Sequence, residues 1–199
     1  MKTILKKILF VSAMLIFTQS LGANEQDDVK ERFLTNIDKV ILIVEDKSLS
    51  KKQRNANIIN VLTPMFDFEL MAKLSLGKIW RTLDSEDQKK FVNLYVERME
   101  KSYSSKVDSY NNEKVEVKKI EQPKDNRIAL VTDLIGNDES LEIVYKYYKP
   151  KKPISQKDTW LVYDVEIKGV SILKADKAQF KEFLQTKSIH ELMAVLVEK

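Results

Sequence analysis

The spacing of the apolar residues changes once along this chain, and that change restricts the fold more than any other feature of the sequence. Between residues 25 and 110, apolar side chains recur every three or four positions, the pattern of amphipathic helices. Between residues 115 and 167 they alternate or run together, which is typical of strands. Helices followed by consecutive strands indicate an α+β fold with helices packed on one sheet face.

The helical part carries several end signals. Ser50 is predicted to cap a second helix, and Gly77 is predicted to break residues 67–80 into short helices. The segment Ser85-Glu86-Asp87-Gln88 has the form of a capping box and predicts a long helix to about Ser109. The apolar stripes predict inward faces on the first and the long helix: Val29, Phe33, Ile37, Val40, Ile41 and Val44, and then Phe91, Tyr95, Met99, Tyr103 and Val107.

Four consecutive strands follow. They are an alternating segment from Val115 and the segments 127–135, 141–148 and 159–167, which Gly169 closes. Gly136-Asn137-Asp138 is a hairpin signal between the second and third strands. Residues 177–186 and 188–197 are predicted to form two terminal helices. The prediction is therefore a four-stranded antiparallel meander with helices before and after it.

The first residues have the plan of a secretory signal peptide. Lys2, Lys6 and Lys7 precede an apolar run over residues 8–17, and small or polar residues follow. The run is shorter than the roughly 20 residues of a membrane span. We expect residues 1–23 to be a leader cut after Ala23 and residues 24–199 to be one domain; an uncleaved anchor is the alternative.

Composition excludes several kinds of site. The 199 residues include no Cys and one His, which excludes disulfides, Cys-ligated zinc and a thiol nucleophile and disfavours a multi-His metal site. The formal charge is +4, and loss of the leader's three lysines lowers it to +1. So small an excess disfavours nucleic-acid binding. No Gly-rich phosphate loop or paired carboxylates are evident.

His190 and the lysines of the segment 149–157 are both interpreted as surface residues without a catalytic or binding role. His190 lies in the last predicted helix with no visible partner for acid-base catalysis. The lysines of the segment 149–157 could meet anionic lipid headgroups, but a solvated loop is the favoured interpretation. These lysines are Lys149, Lys151, Lys152 and Lys157.

Two long segments resemble one known family. Residues 64–110 contain Phe66-Asp67-Phe68, Met71-Ala72, Leu76-Gly77, Trp80, Gln88, Phe91 and Tyr103 in the order of MlaC-type proteins of the Mla (maintenance of lipid asymmetry) system, also known as organic-solvent-tolerance proteins. A second segment, residues 160–165 followed by Gly169-Val170-Ser171, resembles the family's last strand and exit turn. The stretch Lys174-Ala175-Asp176 and the region around Lys187-Ser188 depart from the family pattern.

The resemblance implies a phospholipid carrier. Such a protein would be cone-shaped, with a curved antiparallel sheet and an apolar cavity for acyl tails. It would be a periplasmic monomer with no cofactor besides its phospholipid cargo. Its partners would be an outer-membrane lipoprotein–porin complex and an inner-membrane ATP-binding-cassette lipid transporter.

The resemblance and the apolar stripes together give a set of expected lipid-binding residues. On the helices they are Phe66, Phe68, Met71, Leu74, Phe91, Tyr95, Met99 and Tyr103. On the sheet they are Leu130, Leu134, Ile143, Tyr145, Val162, Val165 and Val170.

Two alternatives remain open at this point. The same cone-shaped fold hosts isomerases and dehydratases, and Asp133, Asp164, Tyr145 and Tyr163 are the residues that could act as acid or base. The other alternative is a non-lipid periplasmic adaptor whose interior is filled by its own side chains.

Overall fold

The computed structural model describes residues 20–108, 112–136, 140–154 and 158–198, without the side chains of residues 20–24, 103–108 and 197–198. The predicted leader up to residue 19 and most of the 136–138 turn lie outside these ranges. The described elements are α1 (Ser20–Glu45), α2 (Lys51–Leu62), α3 (Phe68–Leu76), α4 (Ser85–Asp108), β1 (Lys114–Lys124), β2 (Arg127–Ile135), β3 (Ser140–Tyr148), β4 (Leu161–Ile167), β5 (Val170–Ser171), α5 (Ile172–Phe183) and α6 (Ile189–Glu198).

Local sequence signals determine where α2 and α3 begin and end. Ser50 caps α2 in a reciprocal capping box with Gln53, as predicted. Asp67 caps α3 by accepting the Leu70 N–H at 2.9 Å. Gly77, with a φ of 58°, ends α3, because a residue without Cβ enters this backbone region without strain.

The cap of α4 differs from the prediction. The Asp84 carboxylate, not the Ser85 hydroxyl, accepts the first free N–H groups, from Glu86 at 3.0 Å and Asp87 at 2.8 Å. The Gln88 side-chain amide donates a hydrogen bond to the carbonyl of Leu83, which precedes the helix. An aspartate directly before the first turn supplies both an acceptor and a favourable charge, so it replaces the predicted box.

This difference can be tested with two neighbouring substitutions. Asp84→Ala is expected to lower the free energy of unfolding by about 1 kcal/mol, because it removes the cap. Ser85→Ala is expected to change it by less than about 0.5 kcal/mol. Urea unfolding followed by tryptophan fluorescence measures both. A larger loss of stability from Ser85→Ala than from Asp84→Ala would support the predicted capping box instead.

The described strands form one open antiparallel sheet in the order β1-β2-β3-β4-β5, one strand more than predicted. The additional strand forms because Lys168 and Gly169 both have positive φ, 48° and 77°. Two such residues make the tight hairpin turn that suits the sheet's twist, so Val170 and Ser171 turn back and pair with β4.

Helix α5 begins at Ile172, five residues earlier than predicted. Ser171 caps it by accepting the Lys174 N–H at 3.0 Å, and the buried Asp164 of β4 accepts the Leu173 N–H at 3.1 Å. The helix therefore starts directly from β5. A sheet carboxylate brought close only by the fold completes the cap, so the sequence alone could not place this helix end.

A register shift in β4 decides which side chains face the helices. Tyr145 pairs with Val165 and Tyr147 pairs with Val162, so Tyr163 is an extra residue in β4. Such a bulge reverses the alternation once. Val162 and Val165, three residues apart, consequently lie on the same sheet face.

The helices pack on the sheet, and the contacts of α1 define the direction in which it runs along the strands. Helix α1 packs along β1, and α3 and α5 pack against β4. The start of α1 lies near the end of β1, where Gln26 donates to Gln122 at 3.3 Å, and Glu25 pairs with Lys149 beyond β3. Halfway along α1, the ring of Phe33 lies 4.8 Å from that of Tyr145.

Candidate functional site

One face of the sheet, which we call the inner face, carries apolar side chains in four cross-strand rows. The first row is Val115, Leu134 and Leu141, and the second is Val117, Thr132, Ile143 and Ile167. The third row is Ile120, Leu130, Tyr145 and Val165, and the fourth is Ile128, Tyr147 and Val162. Thr132 fits this face because its hydroxyl donates to the Ile143 carbonyl at 3.0 Å.

Burial rises steadily from the first row to the fourth. Every residue of the first row is partly exposed. In the fourth row, Ile128, Tyr147 and Val162 are only 1%, 4% and 0% exposed. The inner face therefore has a closed end at the fourth row and an open end at the first. Partly exposed apolar side chains on an inward face can accept an apolar ligand without polar groups having to move.

Helix α1 shows the same gradient. Val29 and Phe33 of its first half are 2% and 1% exposed, whereas the residues of its second half that were predicted to face inward are all partly exposed. These are Ile37, Val40, Ile41 and Val44. Because α1 runs from the closed end of the sheet toward the open end, the two gradients have the same direction. We call the region between α1 and the inner face the cleft.

Two tyrosines place hydroxyl groups in this interior. Burial raises the pKa of Tyr145 to about 12 and raises the pKa of Tyr147 well above its usual value. Both phenols therefore stay neutral at ordinary pH. Within the described part of the chain, the Tyr147 hydroxyl is buried and has no hydrogen-bond partner. A donor left in this state costs about 1–3 kcal/mol.

Two tyrosine substitutions are expected to have opposite effects on stability. Tyr147→Phe should raise the free energy of unfolding of the lipid-free protein by about 1 kcal/mol, since it removes an unsatisfied hydroxyl. Tyr95→Phe should lower it by about 1–2 kcal/mol, because the Tyr95 hydroxyl donates to Asp176 at 2.8 Å. Urea unfolding measures both. Destabilisation by Tyr147→Phe would show that this hydroxyl has a stabilising partner.

The expected lipid-binding residues fall into four groups. Ten are buried or partly exposed members of the cleft or the core beside it: Phe66, Phe68, Met71, Phe91, Tyr95, Met99, Leu130, Leu134, Ile143 and Tyr145. Val162 and Val165 are buried on the same face. Leu74 and Val170 are 37% and 61% exposed, so they lie at the surface and not in the interior. The side chain of Tyr103 lies outside the described residues.

The physical reasons for these two exceptions are local. Leu74 lies on α3 three residues after Met71 and just before the helix end, on its outward side. Val170 follows the Lys168-Gly169 turn and pairs with Ile167 at the edge of the sheet, where no further strand covers it.

The carboxylates considered for acid-base chemistry lie on the opposite, outer face. Asp133 pairs with Lys118 at 3.3 Å, and Asp164 accepts from Ser171 at 2.8 Å. Of the four residues considered, only Tyr145 belongs to the inner-face rows. The bulged Tyr163 packs its ring edge-on against Tyr148.

The surface features also have ordinary partners. His190 is 68% exposed in its side chain and lies 3.7 Å from the Asp87 carboxylate. Lys149 pairs with Glu25 and lies 5.8 Å from the centre of the Trp160 ring. Lys157 lies outside the described residues.

Sequence reasoning missed two polar contacts that attach the helices to the sheet and to each other. Asp67 accepts from the Tyr148 hydroxyl, while its own N–H donates to the Val162 carbonyl at 3.0 Å. This attaches α3 to the edge of β4. Burial, and then the bond to Asp67, raise the pKa of Tyr148. The segment Phe66-Asp67-Phe68 pointed to the family but not to this contact, because the partner lies 81 residues away.

A second buried contact joins α5 to α4. Asp176, 3% exposed, accepts from Tyr95 and from Arg98, each at 2.8 Å. Arg98 also lies within 6 Å of the Tyr95 and Phe180 rings. Asp176 stands in the stretch that departs from the family pattern, so no resemblance pointed to it.

These features define a class: an α+β protein in which helices pack against an open antiparallel sheet whose inner face is apolar. The chain belongs to the MlaC protein family, whose model matches residues 34–198. This confirms the family and the α+β fold predicted from the sequence.

Two known proteins are similar to the chain. The intermembrane phospholipid transport system binding protein MlaC of Haemophilus influenzae is 25% identical over 115 residues, which are 58% of this chain and 53% of that protein. The match thus spans about half of the relative's length. A phospholipid-binding protein from Ralstonia solanacearum, solved with a phospholipid, superposes with a TM-score of 0.71 at 18% identity, covering 84% of this chain and 94% of that one.

The described residues contain no helix that is both long and apolar enough to cross a membrane. They also contain no group of three or more His, Cys, Asp or Glu side chains arranged to hold a metal ion.

Proposed function

We propose that this protein is a periplasmic phospholipid carrier that holds acyl tails in the cleft between α1 and the inner face of the sheet. The observation that supports this most is the gradient of burial on both walls, from the closed fourth row to the open first row. Membership of the MlaC family and the fold shared with a phospholipid-binding protein support it as well.

In this proposal the tails enter at the open end and contact the rows in order. Leu134 and Ile143 meet them first, and the neutral Tyr145 lies deeper, opposite Phe33. The fully buried fourth row closes the bottom of the cleft. The headgroup stays at the open end, next to water, since the four described rows of the inner face contain no charged side chain to receive it.

The energy of tail hydration explains why such a carrier is useful. A phospholipid with two tails exposes about 30 methylenes, each costing roughly 0.8 kcal/mol in water. Unassisted transfer through an aqueous space therefore has a barrier on the order of 20 kcal/mol. The free energy of a phospholipid in the carrier needs only to be close to its free energy in the membrane. Uptake and release are then both possible.

The proposal also includes the membrane complexes with which the carrier exchanges phospholipid. The carrier would exchange lipid with an outer-membrane lipoprotein–porin complex and an inner-membrane ATP-binding-cassette transporter, and so help to maintain outer-membrane lipid asymmetry. The supporting observations are the family membership and the sequence pattern of a leader over residues 1–23.

Lipid analysis of the folded protein tests the core of the proposal. The protein is purified without detergent and analysed by native mass spectrometry, and its solvent extract is analysed for lipids. We expect about one phospholipid per chain, and transfer of labelled phospholipid between vesicles. Protein that stays lipid-free after incubation with phospholipid vesicles, and transfers none, would contradict the proposal.

A further inference from the structure

A second cavity lies between α4, α5 and α6, away from the inner-face rows. It has a volume of about 250 Å³. Its apolar wall consists of Phe180, Phe183, Leu192, Val195 and Leu196. Two polar side chains, Arg98 and Gln179, also line it. Binding sites for small molecules combine such an apolar lining with a few convergent polar groups.

Arg98 is the charged side chain of this cavity's lining. One terminal nitrogen, Nη2, donates to Asp176 at 2.8 Å. The other, Nη1, is buried and has no hydrogen-bond partner within the described residues. The rings of Tyr95 and Phe180 lie 5.9 and 5.7 Å from the guanidinium carbon, which keeps the group in place. An arginine prefers to donate through several nitrogens at once.

We propose that this cavity binds a medium-chain carboxylate, with its apolar body against the wall of α5 and α6 and its carboxylate on Arg98. A guanidinium is the side chain best suited to a carboxylate, and Arg98 is the charged residue of the cavity's lining. The volume is slightly below the roughly 300 Å³ at which sites for drug-sized ligands begin. An acid of octanoate's size therefore suits it better than a phospholipid.

This site is separate from the lipid cleft and does not rest on the proposed function. None of its lining residues belongs to the four rows of the inner face.

Calorimetric titration of the purified protein with sodium octanoate tests the assignment, with 1-octanol as a neutral comparison. We expect one octanoate per chain. Val195→Trp, which fills the cavity, should weaken binding at least about tenfold. Ala194→Trp adds the same side chain at an exposed position of the same helix and should leave binding unchanged. Circular dichroism checks the fold of each variant, and Gln179→Trp at the exposed rim is a second blocking variant.

Arg98→Lys tests the role of the guanidinium. It keeps a positive charge for Asp176 but removes the second terminal nitrogen. Octanoate binding should weaken at least about fivefold while octanol binding is unchanged. An equal loss for both ligands would overturn the assignment of the carboxylate to Arg98.

Three results would overturn the site itself. They are no saturable octanoate binding up to about 5 mM, equal binding by Val195→Trp and Ala194→Trp, and loss of octanoate binding in a variant altered only in the sheet cleft, such as Ile143→Asp. The last result would place octanoate among the inner-face rows.

Discussion

Ile143→Asp is expected to leave the protein folded but without bound phospholipid. Ile143 lies in the second row of the inner face and is partly exposed, so a carboxylate there can remain hydrated in the empty protein. Tails filling the cleft would remove that water, and burying an unpaired carboxylate costs several kcal/mol. Lipid affinity should fall at least about a hundredfold. Native mass spectrometry of protein purified without detergent measures the lipid bound per chain.

Val144→Asp is the matched control. Val144 is the next residue of β3, also partly exposed, but on the outer face. It should keep about one lipid per chain. If both variants keep their lipid, the inner face of the sheet does not bind the tails. If both lose it while folded, the effect does not depend on the face and the assignment of the cleft is wrong.

Asp176→Ala is expected to have the largest effect on stability. Its carboxylate is buried and accepts from both Tyr95 and Arg98, so its removal leaves a phenol and a largely buried guanidinium without their partner. Removing one partner of a buried ion pair costs about 3–5 kcal/mol. The Arg98 side chain is 26% exposed, so we expect the lower value. The urea midpoint measured by tryptophan fluorescence should fall accordingly.

Asp133→Ala provides the comparison for this effect. Asp133 also pairs with a cation, Lys118 at 3.3 Å, but the lysine side chain is 55% exposed. Its removal should cost no more than about 1 kcal/mol. Similar losses from both substitutions would mean that the Asp176 contact contributes no more than a surface ion pair.

The fold could largely be predicted because its signals are local. The change of apolar spacing gave the helices, the four long strands and their antiparallel order. The errors occurred where a distant residue or an unusual local backbone conformation decides the outcome. Helix α5 starts early because Asp164 of β4 reaches its first turn, and β5 exists because the pair Lys168-Gly169 turns tightly.

The predicted cleft shows the same limit. Val162 and Val165 share a face only because Tyr163 is an extra residue in β4, which no alternation rule reveals. Val162 is also fully buried, so a charge placed there would test folding rather than lipid binding. Exposure of Val170 depends on its place at the sheet edge. A one-dimensional pattern indicates that a residue is apolar, not what covers it.

The gradient of burial along the inner face also bears on how this protein can evolve. Substitutions in the fourth row change a fully packed core and so reduce the stability of the whole molecule. Substitutions in the first row, at Val115, Leu134 or Leu141, change a partly exposed surface and cost little. If the cleft holds lipid as proposed, selection can adjust the preferred cargo at one end of the sheet while the other end keeps the fold intact.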